Sequence, residues 1–165
     1  MTKKVASRNA QWPLVQEFTM NFNDWAIDSV SGVKKTLAST VAASTDPTET
    51  SLTAGTNLVF DAIPMPVGAV IIGGTVQVET AFNGTGTNTM SVGVAGATTA
   101  FTTTTDLETT GITAFTLTGI LAMRCNAGEN IRLTFANGGA DATAGKVRVR
   151  VQYTLDGKAN ENTIN

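Results

Sequence analysis

From Lys146 to Leu155 the chain alternates without a break. Val147, Val149, Val151, Tyr153 and Leu155 stand at one parity; Lys146, Arg148, Arg150 and Gln152 stand at the other. A period of two is the signature of an extended strand with one face in a core and one in water. A helix would mix arginine and valine on every face. Weaker copies of this pattern run along most of the chain. Trp12 to Phe22 sets Trp12, Leu14, Phe18, Met20 and Phe22 against Glu17, Thr19 and Asn21. Asn57 to Ile63 reads as a short strand ended by Pro64 and Pro66, which have no N–H for a ladder and so mark a strand end or sheet edge. Ala69 to Phe82 places Val70, Ile72, Val76, Val78 and Phe82 on one face and Ile71, Thr75, Gln77 and Glu79 on the other, with Gly73-Gly74 as a bend or bulge.

Asn83-Gly84 then gives a turn signal. Asn88 to Ala95 aligns Met90, Val92 and Val94. Ala97 to Thr105 is a threonine-rich strand or an exposed loop. Thr113 to Met123 collects Phe115, Leu117, Leu121 and Met123. Asn126 to Gly128 is a turn, and Glu129 to Ala136 buries Ile131, Leu133 and Phe135 before Asn137-Gly138-Gly139 breaks the chain. Two stretches lack this clarity. Asn23 to Leu37 reads as a short helical turn capped by Asn23 or Asp24, or as a loop. Ala38 to Gly55, rich in Ser, Thr and Ala, reads as a long polar connection. The sum is an all-β chain: a jelly-roll-like β-sandwich of about eight antiparallel strands, or a barrel. An extended N-terminal arm (residues 1–11) precedes the sandwich domain (12–157), and a polar tail (158–165) follows it. No repeat at a fixed period points to a propeller or solenoid.

Composition narrows what such a sandwich does. The 165 residues suit one domain, yet only 6% are aromatic and much of the 42% apolar content is alanine. A core of this kind buries little area per residue, so association with a partner is expected to supplement it. A net charge of −2 argues against nucleic acid, whose binders carry a basic excess. The sequence has no histidine and one cysteine, Cys125. That removes Ser-His-Asp and Cys-His nucleophiles, His-ligated zinc, thiolate metal clusters and internal disulfides. Cys125 is expected to be a small buried hydrophobe, and the folding compartment to be reducing. The start of the chain has no apolar stretch after its basic residues, so it is not a signal peptide. No segment approaches the ~18 apolar residues that span a bilayer.

What chemistry remains is sparse. Asn83-Gly84-Thr85-Gly86 lacks the following lysine and helix of a phosphate loop and reads as a tight turn; its match to a glycosylation sequon reads as accidental. Paired carboxylates from among Glu17, Glu79, Asp106, Glu108 and Glu129 would suffice for a glycosidase, but none sits in a motif. Asp24 and Asp28 are too sparse for a calcium loop. No cofactor or metal is expected, and no enzymatic activity. The candidate contact residues are therefore basic and aromatic. Lys146, Arg148 and Arg150 form an outward stripe that either pairs with acidic neighbours such as Glu79 or Glu129, or meets an acidic protein surface. Lys3, Lys4 and Arg8 precede Trp12, forming either a frayed terminus or an arm that orders against a neighbour with Trp12 as anchor.

Two regions carry a family likeness. The first runs Pro64-Met65-Pro66-Val67-Gly68-Ala69-Val70-Ile71-Ile72-Gly73-Gly74 into Val76-Gln77-Val78-Glu79-Thr80-Ala81-Phe82-Asn83. The second is Thr143-Ala144-Gly145-Lys146-Val147-Arg148-Val149-Arg150-Val151-Gln152-Tyr153, followed by Asp156-Gly157-Lys158-Ala159-Asn160-Glu161. Over residues 58–161 the chain resembles small virion proteins of tailed bacteriophages, of the head-decoration or cement type. The resemblance implies a protein folded in the host cytoplasm and placed on the outer capsid surface as a trimer or dimer. There it would clamp the major capsid protein against the pressure of packaged DNA, with no nucleic-acid or membrane partner. Residues 1–57 lie outside the likeness; they either dock on the shell or swap between subunits. A head-fibre, collar or tail component is the near alternative, and a carbohydrate-binding or glycosidase sandwich the distant one.

Overall fold

Alternating valines make β12 (Lys146–Leu155) a central strand, with Val147, Val149 and Val151 fully buried. It pairs antiparallel with β1 (Leu14–Asn21) on one side and β6 (Ala69–Thr80) on the other. The far edge of β6 holds two short strands, β9 (Gly111–Ala114) and β10 (Arg124–Cys125), completing a five-stranded sheet. A second, four-stranded antiparallel sheet runs β5 (Asn57–Ile63), β11 (Ile131–Asn137), β7 (Asn88–Val94) and β8 (Ala97–Asp106). A small third sheet joins β2 (Trp25–Ile27), β3 (Lys34–Thr36) and β4 (Glu49–Ser51), with β3 and β4 parallel. The computed structural model describes residues 12–38, 49–52, 55–117, 124–125, 127–138 and 142–155. The arm (residues 1–11) and the tail (residues 158–165) lie outside them.

The two large sheets bury their facing side chains in one core. Val76, Val78, Val147, Val149, Val151 and Tyr153 come from one layer, and Leu58, Phe60, Met90, Val92, Leu133 and Phe135 from the other. Each such side chain stabilises the fold by about 1.5–3 kcal/mol relative to exposure. Phe60 and Phe135 stack with centroids 6.1 Å apart, and Phe18 tilts against Phe60 at 5.6 Å. The all-β sandwich is thus the observed architecture, and it is not a closed barrel.

Twelve strands are present among the described residues where about eight were expected. The excess is mostly short strands that have too few residues to show a period. Asn23–Leu37 is neither a helical turn nor an open loop: β2 and β3 pair antiparallel across a turn at Ser29–Ser31. In Thr113–Met123 the strand is confined to its start, and residues 118–123 lie outside the described residues. Ala97–Asp106 is a strand rather than a loop.

β6 departs from the expected facing. Ala69 and Ile71 are buried while Ile72 is 43% exposed, yet Val76 and Val78 are buried beyond it. The register against β12 slips between Gln152 and Tyr153, so Ile72 is the extra residue of a bulge and the inward parity changes there. Gly74 sits just past the bulge, where a Cβ would collide with the Phe115 ring and the Arg150 carbonyl. Trp12 also departs from its expected inward face: it is 88% exposed, lying beyond the last β1 pair, Leu14 with Tyr153. Asn83-Gly84 makes no hairpin, because β6 and β7 belong to different sheets. Instead Asn83 Oδ1 accepts the Thr143 and Ala144 N–H groups at 2.8 and 2.9 Å, and its Nδ2 donates to Thr143 Oγ1 at 2.7 Å.

Candidate functional site

Two surfaces are built well enough to be described as sites, one charged and one apolar. The charged surface is the outer face of the five-stranded sheet. β12 runs between β1 and β6, so its outward basic residues meet an acid from each side. Arg150 Nε donates to Glu17 Oε2 at 2.6 Å, and Arg148 reaches Glu17 at 3.5 Å and Glu79 at 2.6 Å. Lys146 Nζ lies 2.8 Å from Glu79 Oε2. The hydrogen bond from Lys146, reinforced by the nearby arginine charges, holds the Glu79 carboxyl below the usual carboxylate range. Lys146, Arg148 and Arg150 thus sit in a cross-strand ion-pair ladder with Glu79 and Glu17. Glu129 instead accepts the Ala127 N–H at 3.2 Å.

The ladder is half exposed, so each pair contributes little to stability. Glu17→Gln is expected to lower unfolding free energy by no more than about 1 kcal/mol in urea titration, with the difference shrinking further in high salt. A loss well beyond that would show the ladder to be a structural core of the sheet.

The other carboxylates named from the sequence are also in structural use. Asp106 accepts the Glu108 N–H at 2.8 Å, and Glu108 accepts the Asn88 backbone N–H at 2.8 Å and its Nδ2 at 3.2 Å. Glu17 and Glu79 flank a shared arginine; they do not converge on a cleft. Among the described residues no group of three His, Cys, Asp or Glu side chains is placed to hold a metal ion. Cys125 is buried, and burial, with Glu129 nearby, pushes its thiol up to about 11, so the reactive thiolate is scarce at neutral pH. No helix among the described residues is long and apolar enough to cross a membrane.

The apolar surface follows from how the two sheets meet at their sides. On one side the seam is bonded shut: the Phe115 N–H donates to the Gly74 carbonyl at 3.0 Å and the Thr116 N–H to the Phe101 carbonyl at 2.8 Å, tying β6 to β8. Phe115 stacks on Phe101 inside this seam. On the opposite side, edge strands β1 and β5 meet through the Phe18 and Phe60 rings. β2 stands over them, and between the three lies a groove of about 680 Å³. Phe18, Met20, Phe60, Trp25, Ala26 and Ile27 supply its apolar walls, and Asp24 and Asp61 its acidic ones. Ile27 is 66% exposed at the mouth, and Lys34 Nζ lies over the Trp25 ring at 5.3 Å. Arg132 donates to Asp61 at 2.8 and 3.2 Å, and that bonding holds the Asp61 carboxyl below its ordinary range against the effect of burial.

The placement of β2 depends on one residue that the sequence had offered only as part of a rejected calcium loop. Asp28 is 2% exposed. Its Oδ1 accepts the Val59 N–H of β5 at 3.1 Å, and its Oδ2 accepts Lys35 Nζ at 2.8 Å and Ser31 Oγ at 2.6 Å. The Ser29 N–H returns a bond to the Val59 carbonyl at 2.6 Å. The groove residues come from β1, β2 and the sequence-distant β5, so no local motif announces the whole set. The only sequence signal was Trp25 and Ile27 beside Asp24 and Asp28, the first read as a helix cap and the two together as too sparse for calcium.

No protein-family model matches the sequence, and no curated protein does. Solved structures do share its fold. A chain of the cyanophage Pam1 capsid asymmetric unit is 22% identical with a TM-score of 0.56, the match covering 93% of this chain and 94% of that one. A chain in the acidic stable capsid structure of Helicobacter pylori bacteriophage KHP30 is 15% identical with a TM-score of 0.55, covering 92% of this chain and 94% of that one. A chain from Bacillus endospore appendages, described as disulfide-linked pili, is 14% identical at a lower TM-score of 0.44, covering 94% and 99%. The two capsid likenesses establish the fold, which is shared nearly end to end with those chains.

Proposed function

We propose that this chain is a structural protein of a bacteriophage virion that binds the outer capsid surface and stabilises the shell. The observation that carries the reading is the end-to-end fold likeness to chains of two phage capsids. It is supported by a surface on which Glu17, Glu79, Asp106, Glu108 and Glu129 are engaged in holding the fold and whose open features suit protein contacts. A shell-binding protein needs rigid strands and broad contact area; repeated identical sites on the shell turn modest single contacts into firm attachment. In this reading the partners are the major capsid protein and further copies of the chain. Lys3, Lys4, Arg8 and Trp12 would make contacts from the N-terminal segment, with Lys146, Arg148 and Arg150 offering the charged face. The ladder acids would exchange partners there rather than leave cations bare.

Particles assembled with and without this chain test the proposal. The chain is expected to co-sediment with complete heads, and heads lacking it to release DNA at a lower temperature, followed by dye fluorescence. Equal release temperatures, or absence of the chain from purified heads, would defeat the shell-stabilising role. Labelled chains imaged only on the tail or collar would move it to another virion part.

A further inference from the structure

We infer that the groove between β1 and β5 receives the basic N-terminal segment, residues 1–11, of a second copy of this chain. The inference does not depend on where in a particle the protein sits. It starts from the asymmetry of the sandwich, closed by backbone hydrogen bonds at the β6–β8 seam and lined by rings at the β1–β5 seam. Among the described residues β1 pairs with β12 alone, so its outer backbone edge runs along the groove; Asn21 at its end is capped by Asp24, and the stretch before it is the edge open to a further strand. Edge strands are commonly blunted by lysine, proline or a bulge, and Leu14–Asn21 contains none of these. An extended segment entering here adds a strand to the sheet while its side chains meet the Phe18, Phe60 and Ile27 wall.

Charge selects the occupant. Residues 1–11 carry Lys3, Lys4 and Arg8 with no acidic residue, and their apolar members, such as Val5 and Ala6, are small. Arg132 already grips Asp61, so Asp24, which accepts the Asn21 N–H groups at 2.7 and 3.0 Å, is the carboxylate with charge left to offer. Geometry selects a second copy over the same chain. The segment joins β1 at Trp12, six residues and roughly 20 Å from Phe18. Pro13 biases Trp12 toward an extended backbone, which disfavours a reversal at that residue. To return, it would have to reverse and spend much of the ~36 Å that eleven extended residues reach. Passing into a neighbour needs no reversal, and repeating the exchange closes a ring or a reciprocal pair.

Sedimentation velocity on the full chain and two full-length variants tests this. One variant carries Ile27→Arg at the exposed groove mouth; the other carries Lys3→Glu, Lys4→Glu and Arg8→Glu. Both spare the core, and circular dichroism spectra matching the parent check that each folds. The parent is expected to sediment as an oligomer and each variant to lose association at least about tenfold, the factor equal to 1.4 kcal/mol. An equal mixture of the two is expected to recover a two-chain species, since one supplies an intact groove and the other an intact segment. A monomeric parent, variants that stay associated, or a mixture that stays monomeric would each overturn the inference. Association of copies without any binding to phage heads would leave it standing and remove only the shell reading.

Discussion

Replacing Asp28 with alanine is expected to cost about 3 kcal/mol, because it breaks a buried ion pair and strands the donors around it. The carboxylate is 2% exposed and joins the β2–β3 turn to β5 through Val59, while also neutralising Lys35. Lys35 keeps some access to water, which places the cost at the lower end of the range for buried pairs. For a domain of this size the melting temperature should fall by roughly 10 °C, at 2–4 °C per kcal/mol. The third small sheet would lose its main link to the sandwich. Protease cleavage between β2 and β4 should then quicken before the sandwich unfolds.

The same residue sets a pH dependence. Burial by itself would raise the Asp28 carboxyl, but the bonds from Lys35, Ser31 and the Val59 N–H outweigh it and hold the group well below its ordinary range. A depressed folded-state value means that the unfolded chain binds the proton first as the pH falls. The stabilisation is therefore complete well above the unfolded value, near 3.9, and is lost as the pH drops below it toward the folded value. Asp28→Asn removes this titration. Unfolding curves of the parent and Asp28→Asn should be well separated at neutral pH and converge below about pH 4. A gap that stayed constant down to pH 2 would show that Asp28 carries no more than its share of shape.

Asp28 also shows where sequence legibility ends. β12 and β5 were readable to the residue, because Val147 to Tyr153 and Leu58 to Phe60 alternate between two environments and each side chain reports its own. β11 was readable for the same reason. At Ile72 the reading failed, since a bulge changes parity without changing composition, and a run of two isoleucines fits either phase. Trp12 looked inward by parity but lies past the end of the paired strand, which only the register with Tyr153 reveals. β2 and β3, three residues each, carry no period at all; they are strands because Asp28 binds a backbone thirty-one residues away. The ladder partners of Arg148 and Arg150 were half legible. Glu79 was named as a neighbour from its outward parity, and Glu17 was seen on a polar face, but only strand order puts both beside one arginine. The groove was not legible, because Phe18, Trp25 and Phe60 converge only once β1 and β5 become the two edges of one seam.

Phe135→Ala is expected to be the most damaging single substitution, at about 4 kcal/mol, within the 3–5 kcal/mol seen when a buried phenylalanine is truncated. Its side chain is 1% exposed in the middle of β11, and its ring lies 6.1 Å from Phe60 with the planes 4° apart. The neighbours that would have to fill the void are β-strand residues locked in register on both sides, so little relaxation is available. Phe135→Leu keeps most of the volume and should cost only about 1–2 kcal/mol. The consequence reaches the groove, because Phe60 stacks on Phe135 from one side and supports Phe18 from the other. With its support gone, Phe60 can settle inward and the wall that Phe18 and Phe60 present changes shape. Both variants should therefore weaken association between copies, measured well below their melting temperatures where each remains folded, and alanine should do so more than leucine. Urea titration gives the stability change and sedimentation the association change. An alanine variant that loses less than about 1 kcal/mol would mean that the aromatic stack is not the centre of this core. A variant that loses stability while associating as tightly as the parent would mean that the seam does not take part in joining copies.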